Sequence, residues 1–184
     1  FGYKTTKTGF SLGTRFEYYD DLFITPNITS YYESLETSSS ASANLTKQKG
    51  TYFDTDFDYA IDYDKRNQKF QTTEGFRSRF TQSIPLISDT NAIINGYEFN
   101  SYHELIKDEM LGTFTFYSKT INSITNDEVR ISERLYMPSS KLRGFERGKI
   151  GPTDNGDYVG GNYVSSINLA ATLPNIMPGF ENAD

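Results

Sequence analysis

The chain has no cysteine and no tryptophan, and only one histidine and three methionines among its 184 residues. Without cysteine, neither a disulfide framework nor a thiolate metal site can form. His103 has no Ser-His-Asp pattern around it, so a hydrolytic triad is not expected. A Gly-x-x-x-x-Gly-Lys run followed by Ser or Thr is also missing, which removes the usual phosphate cradle. The formal charge of −6 argues against a nucleic-acid partner, which would call for a basic footprint. No stretch approaches the roughly 20 apolar residues that a membrane helix requires. The chain is therefore expected to be no enzyme, with no cofactor and no metal.

Only 36% of residues are hydrophobic and the mean hydropathy is −0.59, values that by themselves describe a soluble protein. One class escapes that rule. Strands of a membrane barrel alternate apolar and polar residues, so their average looks hydrophilic. Helices and closed barrels are the only structures that satisfy their backbone inside lipid. If this chain meets a bilayer, it does so as a barrel.

What the chain has in abundance is Tyr and Phe, 14 of each. They recur with a period of two, the pattern of half-buried strands. Between Tyr52 and Tyr63, one face carries Phe53, Thr55, Phe57, Tyr59, Ile61 and Tyr63, and the other carries Asp54, Asp56, Asp58, Ala60 and Asp62. Four acids on one strand face would repel in a dry core, but they suit a water-filled lumen with basic strands nearby. As a cation site the ladder is poor, because alternate positions on one strand spread ligands too far apart. The next strand supplies a basic match: Phe76, Ser78, Phe80, Gln82 and Ile84 alternate with Arg77, Arg79, Thr81 and Ser83. A hairpin with Asp on one lumen-facing strand and Arg on the other is expected, joined by the polar stretch Asp64 to Glu74.

Further strands are expected at Phe10–Tyr18, 24–35, 95–106, 110–120, 129–136 and Ser166–Leu173. The fold class is thus all-β: an antiparallel transmembrane β-barrel, here an incomplete half-barrel of about eight strands within one domain, 1–184. Asp20-Asp21, Pro85 to Asn91 and Lys107-Asp108-Glu109 read as short or medium connections, while Glu36 to Lys49 and Lys141 to Gly161 read as long ones. Short turns on one rim and long loops on the other are the outer-membrane pattern. Loops beyond ~12–15 residues tend to be functional, which marks the second one. On the expected 129–136 strand, Glu133 and Arg134 read as a lumen ion pair. The ends, Phe1-Gly2-Tyr3-Lys4 and Phe180 to Asp184, are expected to be cuts through a longer protein.

The long loop, 137–161, contains Leu142-Arg143-Gly144-Phe145, then Ile150-Gly151-Pro152, and Gly160-Gly161-Asn162 opens the following strand. Upstream stand Arg66, Phe70, Thr73 and Gly75. An aliphatic residue before Arg-Gly-Phe, with Ile-Gly-Pro at this spacing, resembles the signature loop of the BamA family, and the likeness extends over essentially the whole chain. Thr72 departs from the family's Pro before Thr-x-Gly, and Pro138-Ser139-Ser140 replaces its Gly-Gly stretch; both lie in turns.

The resemblance implies an outer-membrane protein assembly factor in the bacterial cell outer membrane, which folds and inserts other barrels without ATP. It implies periplasmic POTRA domains before Phe1. Its implied partners are nascent outer-membrane proteins, accessory lipoproteins and the lipid bilayer. It also implies that Arg143 points into the lumen and binds acidic side chains on strands beyond this chain's end, with Gly144 shaping the turn and Phe145 wedged against the wall. A guanidinium would bind carboxylates there in a forked geometry that lysine cannot copy. The same loop is shared by related translocation barrels, those of TamA-like autotransporter assembly and two-partner secretion. A soluble β-sandwich binding module is the alternative from another class.

Overall fold

In the computed structural model, which describes residues 2–107 and 109–172, strands account for most of the chain. They are β1 (Tyr3–Gly13), β2 (Phe16–Tyr19), β3 (Leu22–Thr37), β4 (Gly50–Asp64), β5 (Gly75–Ser88), β6 (Ala92–Ile106), β7 (Met110–Ser123), β8 (Thr153–Asp154), β9 (Asp157–Tyr158) and β10 (Tyr163–Thr172). One short helix, α1 (Ala43–Lys47), interrupts the first long connection, and a single 3₁₀ turn, Ile131–Glu133, lies in the second. The main sheet is eight-stranded and antiparallel, in the order β1-β3-β4-β5-β6-β7-β10, with β2 also on β3. It does not close on itself, so the all-β half-barrel expected from the sequence is the architecture observed.

The central strands are longer than the ~10 residues of a minimal membrane strand. β3 has 16 residues and β4 and β6 have 15 each. At ~3.3 Å per residue such a strand runs about 50 Å, enough to cross ~30 Å of hydrocarbon at a tilt and still project beyond it.

Two prolines lie at irregularities of the ladder. Thr14 N–H donates to the Pro26 carbonyl at 3.1 Å, but Pro26 has no N–H to return the bond. At that point the strand opposite β3 breaks into β1 and β2. Pro85 sits at one of the register shifts, where Asp56 faces Pro85 and Thr55 faces Ile87, leaving Leu86 as an extra residue. Strand β5 therefore runs on to Ser88, and the expected connection from Pro85 shrinks to a turn at 89–91.

The two faces of the sheet differ as alternation demands. On the outer face, Phe10, Leu12, Phe16, Tyr18, Ile28, Tyr32, Ile61, Tyr163, Ile167 and Leu169 are exposed. Tyr63, Phe76, Phe99 and Phe114 form a chain of ring contacts across β4 to β7, at centroid distances of 5.7, 5.8 and 6.2 Å. Such a girdle is where aromatic rings sit at a membrane interface.

The connections sort by rim. The turn at Asp20-Asp21, the 65–74 connection and the turn around residue 107 share one end of the sheet. The 38–49 connection, the 89–91 turn and the 124–162 segment share the other. From that second rim the long connections fold down over the inner face. Leu35, Leu45, Ile131 and Val159 form one buried cluster there, and Ile121, Val129 and Leu135 form another. The dry core of the chain lies between wall and loops.

One expected strand is absent. Residues 129–136 make the 3₁₀ turn and a lone bridge from Leu135 to Gly161. Val129, Arg130 and Ile131 are all buried, which a strand with one solvated face does not allow. The expected final strand is β10, whose described part ends at Thr172. Leu173, Asp108 and the turn at Phe180 to Asp184 lie outside the described residues.

Gly75 opens β5 with φ +100°, and a Cβ there would lie 2.1 Å from the Lys65 carbonyl oxygen. Gly75→Ala should therefore destabilise the hairpin by about 1–3 kcal/mol, the cost of a residue held in a conformation only glycine tolerates. Heat-modifiable gel mobility of the full-length protein across a urea series reads this directly; an unshifted midpoint would show that the turn adapts.

Candidate functional site

The inner face of β3, β4 and β5 gathers most of the ionisable groups that the sequence singles out. Asp62 is buried and accepts a forked pair of bonds from Arg77, Nε at 2.8 Å and Nη2 at 2.5 Å, with Arg15 at 3.7 Å. Cross-strand register sets Asp62 opposite Arg79, and Arg77 opposite Asp64. The bond is diagonal because Asp64 is already taken by Arg66, which grips it through Nε and Nη2 at 2.7 Å each. Asp58 accepts from Thr29 Oγ1 at 2.8 Å and Asn27 Nδ2 at 3.2 Å. Asp56 is half-buried between Asp54 and Asp58 on the same face, and Arg79 lies on that face without a carboxylate partner among the described residues. Among the described residues no cluster of His, Asp and Glu is arranged to hold a metal.

Asp54 belongs to a different assembly. Arg130, 1% exposed, donates through Nη2 to Asp54 and to Glu133 Oε1 at 2.8 Å. Its Nε lies 3.2 Å from Glu33 Oε2, and its guanidinium covers the Tyr52 ring at 4.3 Å. Ser88 Oγ donates to Asp54 at 2.5 Å, and Ser132 Oγ to Glu33 at 3.0 Å. The Ile131 amide donates to Gln48 Oε1 at 2.8 Å. One guanidinium thus joins β3, β4 and the 124–162 segment. Burial pushes the Glu133 carboxyl above the usual range, and Arg130 pulls it back. Burial alone would lower the Arg130 guanidinium, but Glu133, Asp54 and Glu33 outweigh it and hold the cation charged.

This assembly corrects the pairing expected from the sequence. Glu133 bonds to Arg130, not Arg134; Arg134 turns to Glu128 at 3.7 Å and to the Val129 carbonyl. The 3₁₀ turn places Arg130 and Glu133 on one side, which a strand would not have done. Arg130 itself was not singled out by pattern. The signal available was a charged residue between Val129 and Ile131, a place where a buried strand should carry none.

The signature loop runs on from this anchor. Lys141 Nζ bonds Glu98 at 2.5 Å, and Asn168 Nδ2 donates to the Lys141 carbonyl at 2.8 Å, so the loop meets β6 and β10. Leu142 is half-buried. Arg143 and Gly144 are exposed, Gly144 at φ +84°, and Phe145 is 59% exposed. Arg143 borders a hollow on the inner wall with Asn100, Thr115 and Asn168, and no acidic side chain binds it among the described residues. Beyond the tip, Ile150, Gly151 and Pro152 lead into the β8–β9 hairpin, whose Val159 amide returns to the Pro152 carbonyl at 3.0 Å. Ser42 Oγ donates to Asp154 at 2.5 Å, tying the hairpin to the first long connection. Gly160, at φ +68°, and Gly161 close against Leu135.

An open antiparallel sheet carrying a long connection folded back onto its inner face is a recognisable arrangement. A sequence model of the Omp85 superfamily domain matches residues 2–179. The chain belongs to the Omp85 superfamily. In structure it resembles BamA from Haemophilus ducreyi lacking POTRA domains 1-3, with a TM-score of 0.85 and 18% identity, covering 97% of this chain and 39% of that one. In sequence it resembles the Homo sapiens protein named Sorting and assembly machinery component 50 homolog, 27% identical over 143 residues. The Mus musculus protein of the same name is 26% identical over the same length. Each match covers 74% of this chain, which spans 30% of the length of those relatives. The BamA-family likeness read from the signature loop and the half-barrel read from alternation thus agree with the family and the fold found.

Arg77→Ala would leave the buried Asp62 with only the more distant Arg15. The full-length protein should lose about 2–3 kcal/mol of stability, and Arg77→Lys about half of that, because lysine cannot fork. Urea midpoints of heat-modifiable mobility measure both; equal midpoints for the two variants would contradict a geometric role.

Proposed function

We propose that the chain is the central and later part of a single outer-membrane barrel domain that folds and inserts other β-barrel proteins. The observation that carries this reading is the 124–162 segment, packed against the inner wall of an unclosed Omp85 sheet with its Arg143 tip free. Arg143 is then available to carboxylates on strands outside this chain. Asp56, Asp58, Arg77 and Arg79 line the lumen side of the wall, where charges suit a hydrated interior, while Asp62 and Asp54 on the same face are buried against Arg77 and Arg130. The role is one of binding and templating, with no catalytic residue. Nascent strands pair with an exposed sheet edge, and their backbone hydrogen bonds provide the driving force in place of ATP.

Nascent outer-membrane proteins, the bilayer and accessory lipoproteins are the partners this reading requires. The Ile150-Gly151-Pro152 extension favours an assembly barrel of the bacterial cell outer membrane over the translocation barrels that share the Arg-Gly-Phe loop. Depletion of the full-length protein should lower folded porins in the outer membrane. Normal porins with loss of a secreted substrate alone would move the assignment to the translocation barrels.

Arg143→Ala in the full-length protein should reduce porin assembly severalfold, with partial rescue by Arg143→Lys, because a lysine keeps the charge and loses the fork. Porin levels and heat-modifiable mobility read the two effects separately. Wild-type values in both would remove Arg143 from the mechanism.

A further inference from the structure

The signature tip makes few contacts of its own, so something else must hold the segment that carries it. We infer that Arg130 is that holding group: a positioning residue that latches the 124–162 segment to the β3–β4 wall and so sets where Arg143 is presented. The inference rests on the proposed role of the loop and adds the residue that docks it.

Three observations converge on Arg130. First, it belongs to the loop, while two of its carboxylates, Glu33 and Asp54, belong to the wall. Second, its burial is complete, and its guanidinium lies over the Tyr52 ring of β4, 4.3 Å from its centre. Third, the loop's apolar contacts cluster around it: Ile131 and Val159 pack on Leu35 of β3 and Leu45 of α1. The tip, by contrast, presents Arg143 and Phe145 to open space.

The latch is also only partly satisfied in its hydrogen bonding. Arg130 Nη1 and Glu33 Oε1 are buried with no hydrogen-bond partner among the described residues. The Nε-to-Glu33 approach is an ion pair whose angle does not make a hydrogen bond. Three carboxylates surround one guanidinium, with Lys7 3.6 Å from Glu33 as the nearest further cation. A buried charge network that is only partly satisfied holds through attraction while giving up part of its hydrogen bonding. It is thus weaker than its burial suggests. Loss of the cation would leave mutually repelling acids against the wall, and the segment would leave with its apolar residues. The Lys141–Glu98 bond near the tip would remain, so the sheet itself need not unfold.

The test uses the full-length protein, free of other accessible cysteines, with Val159→Cys as a reporter. Val159 is buried in the loop-to-wall cluster, so a thiol reagent reaches it only when the segment lifts. In protein that remains heat-modifiable, Arg130→Gln should speed labelling on the order of a hundredfold, the scale of unpairing a buried charge. Arg130→Lys should fall between, since one ammonium cannot fork among three acids. A folded Arg130→Gln protein that labels at the parental rate would overturn the latch. If that variant does not fold, Gln48→Ala with Ser132→Ala removes two flanking bonds without unpairing a charge. A severalfold rise in labelling then supports the latch, and a parental rate overturns it. Porin assembly is measured in the same strains. Faster labelling with normal assembly keeps the latch and sinks the proposed role of the loop, whereas lost assembly at a parental labelling rate sinks the latch alone.

Discussion

Backbone amides and carbonyls find no water inside a bilayer, so each strand must be satisfied by its neighbours along its whole length. That constraint shapes everything large in this chain. It explains why β3 to β7 run for 14 to 16 residues without a helical interruption. It also explains why each of the two prolines inside strands coincides with a break in the ladder. Pro26 lies where β1 gives way to β2, and Pro85 lies beside the bulge at Leu86. Elsewhere the alternation is free to sort side chains, aromatic rings outward and charges inward.

The same sorting creates the problem that the loops solve. An inner wall rich in Asp, Glu, Arg and Lys is stable when wet, yet the 124–162 segment brings apolar residues down onto it. The segment succeeds because it lands at the one end of the wall where Leu35, Ile94 and Ile121 replace charges, and because Arg130 neutralises the acids beside them. Farther along, the wall keeps its own ion pairs, Arg77 with Asp62 and Arg66 with Asp64. A packed end and a hydrated end thus coexist on one face. The signature tip emerges between them, anchored at Lys141 to Glu98 and Asn168, with Arg143 and Phe145 exposed. On the proposed reading, the loop's positioning and its chemistry fall to different arginines.

Membership of the Omp85 superfamily gives this arrangement a context. The sheet's two lateral strands, β1 and β10, each have one neighbour in the described residues, so the sheet is open along both edges. What this chain contributes on the proposed reading is a wall and a loop with an exposed tip, and on that reading the templating edge lies elsewhere in the barrel.

Alternation alone was enough to place β4 and β5, to separate the Asp face from the aromatic face, and to set the fold class, because a period of two is a local property of the chain. The spacing of Arg143, Ile150 and Gly160 was enough to name the family, since a motif's spacing along the chain is a local property. The direction of each ion pair was not legible. Arg77 reaches Asp62 past its register neighbour because Arg66 already occupies Asp64, a competition that no linear pattern contains. Nor was Arg130 legible: its three carboxylates come from Glu33, Asp54 and Glu133, and only the folding of residues 129–136 as a turn across the wall, in place of a strand, brings them to one guanidinium.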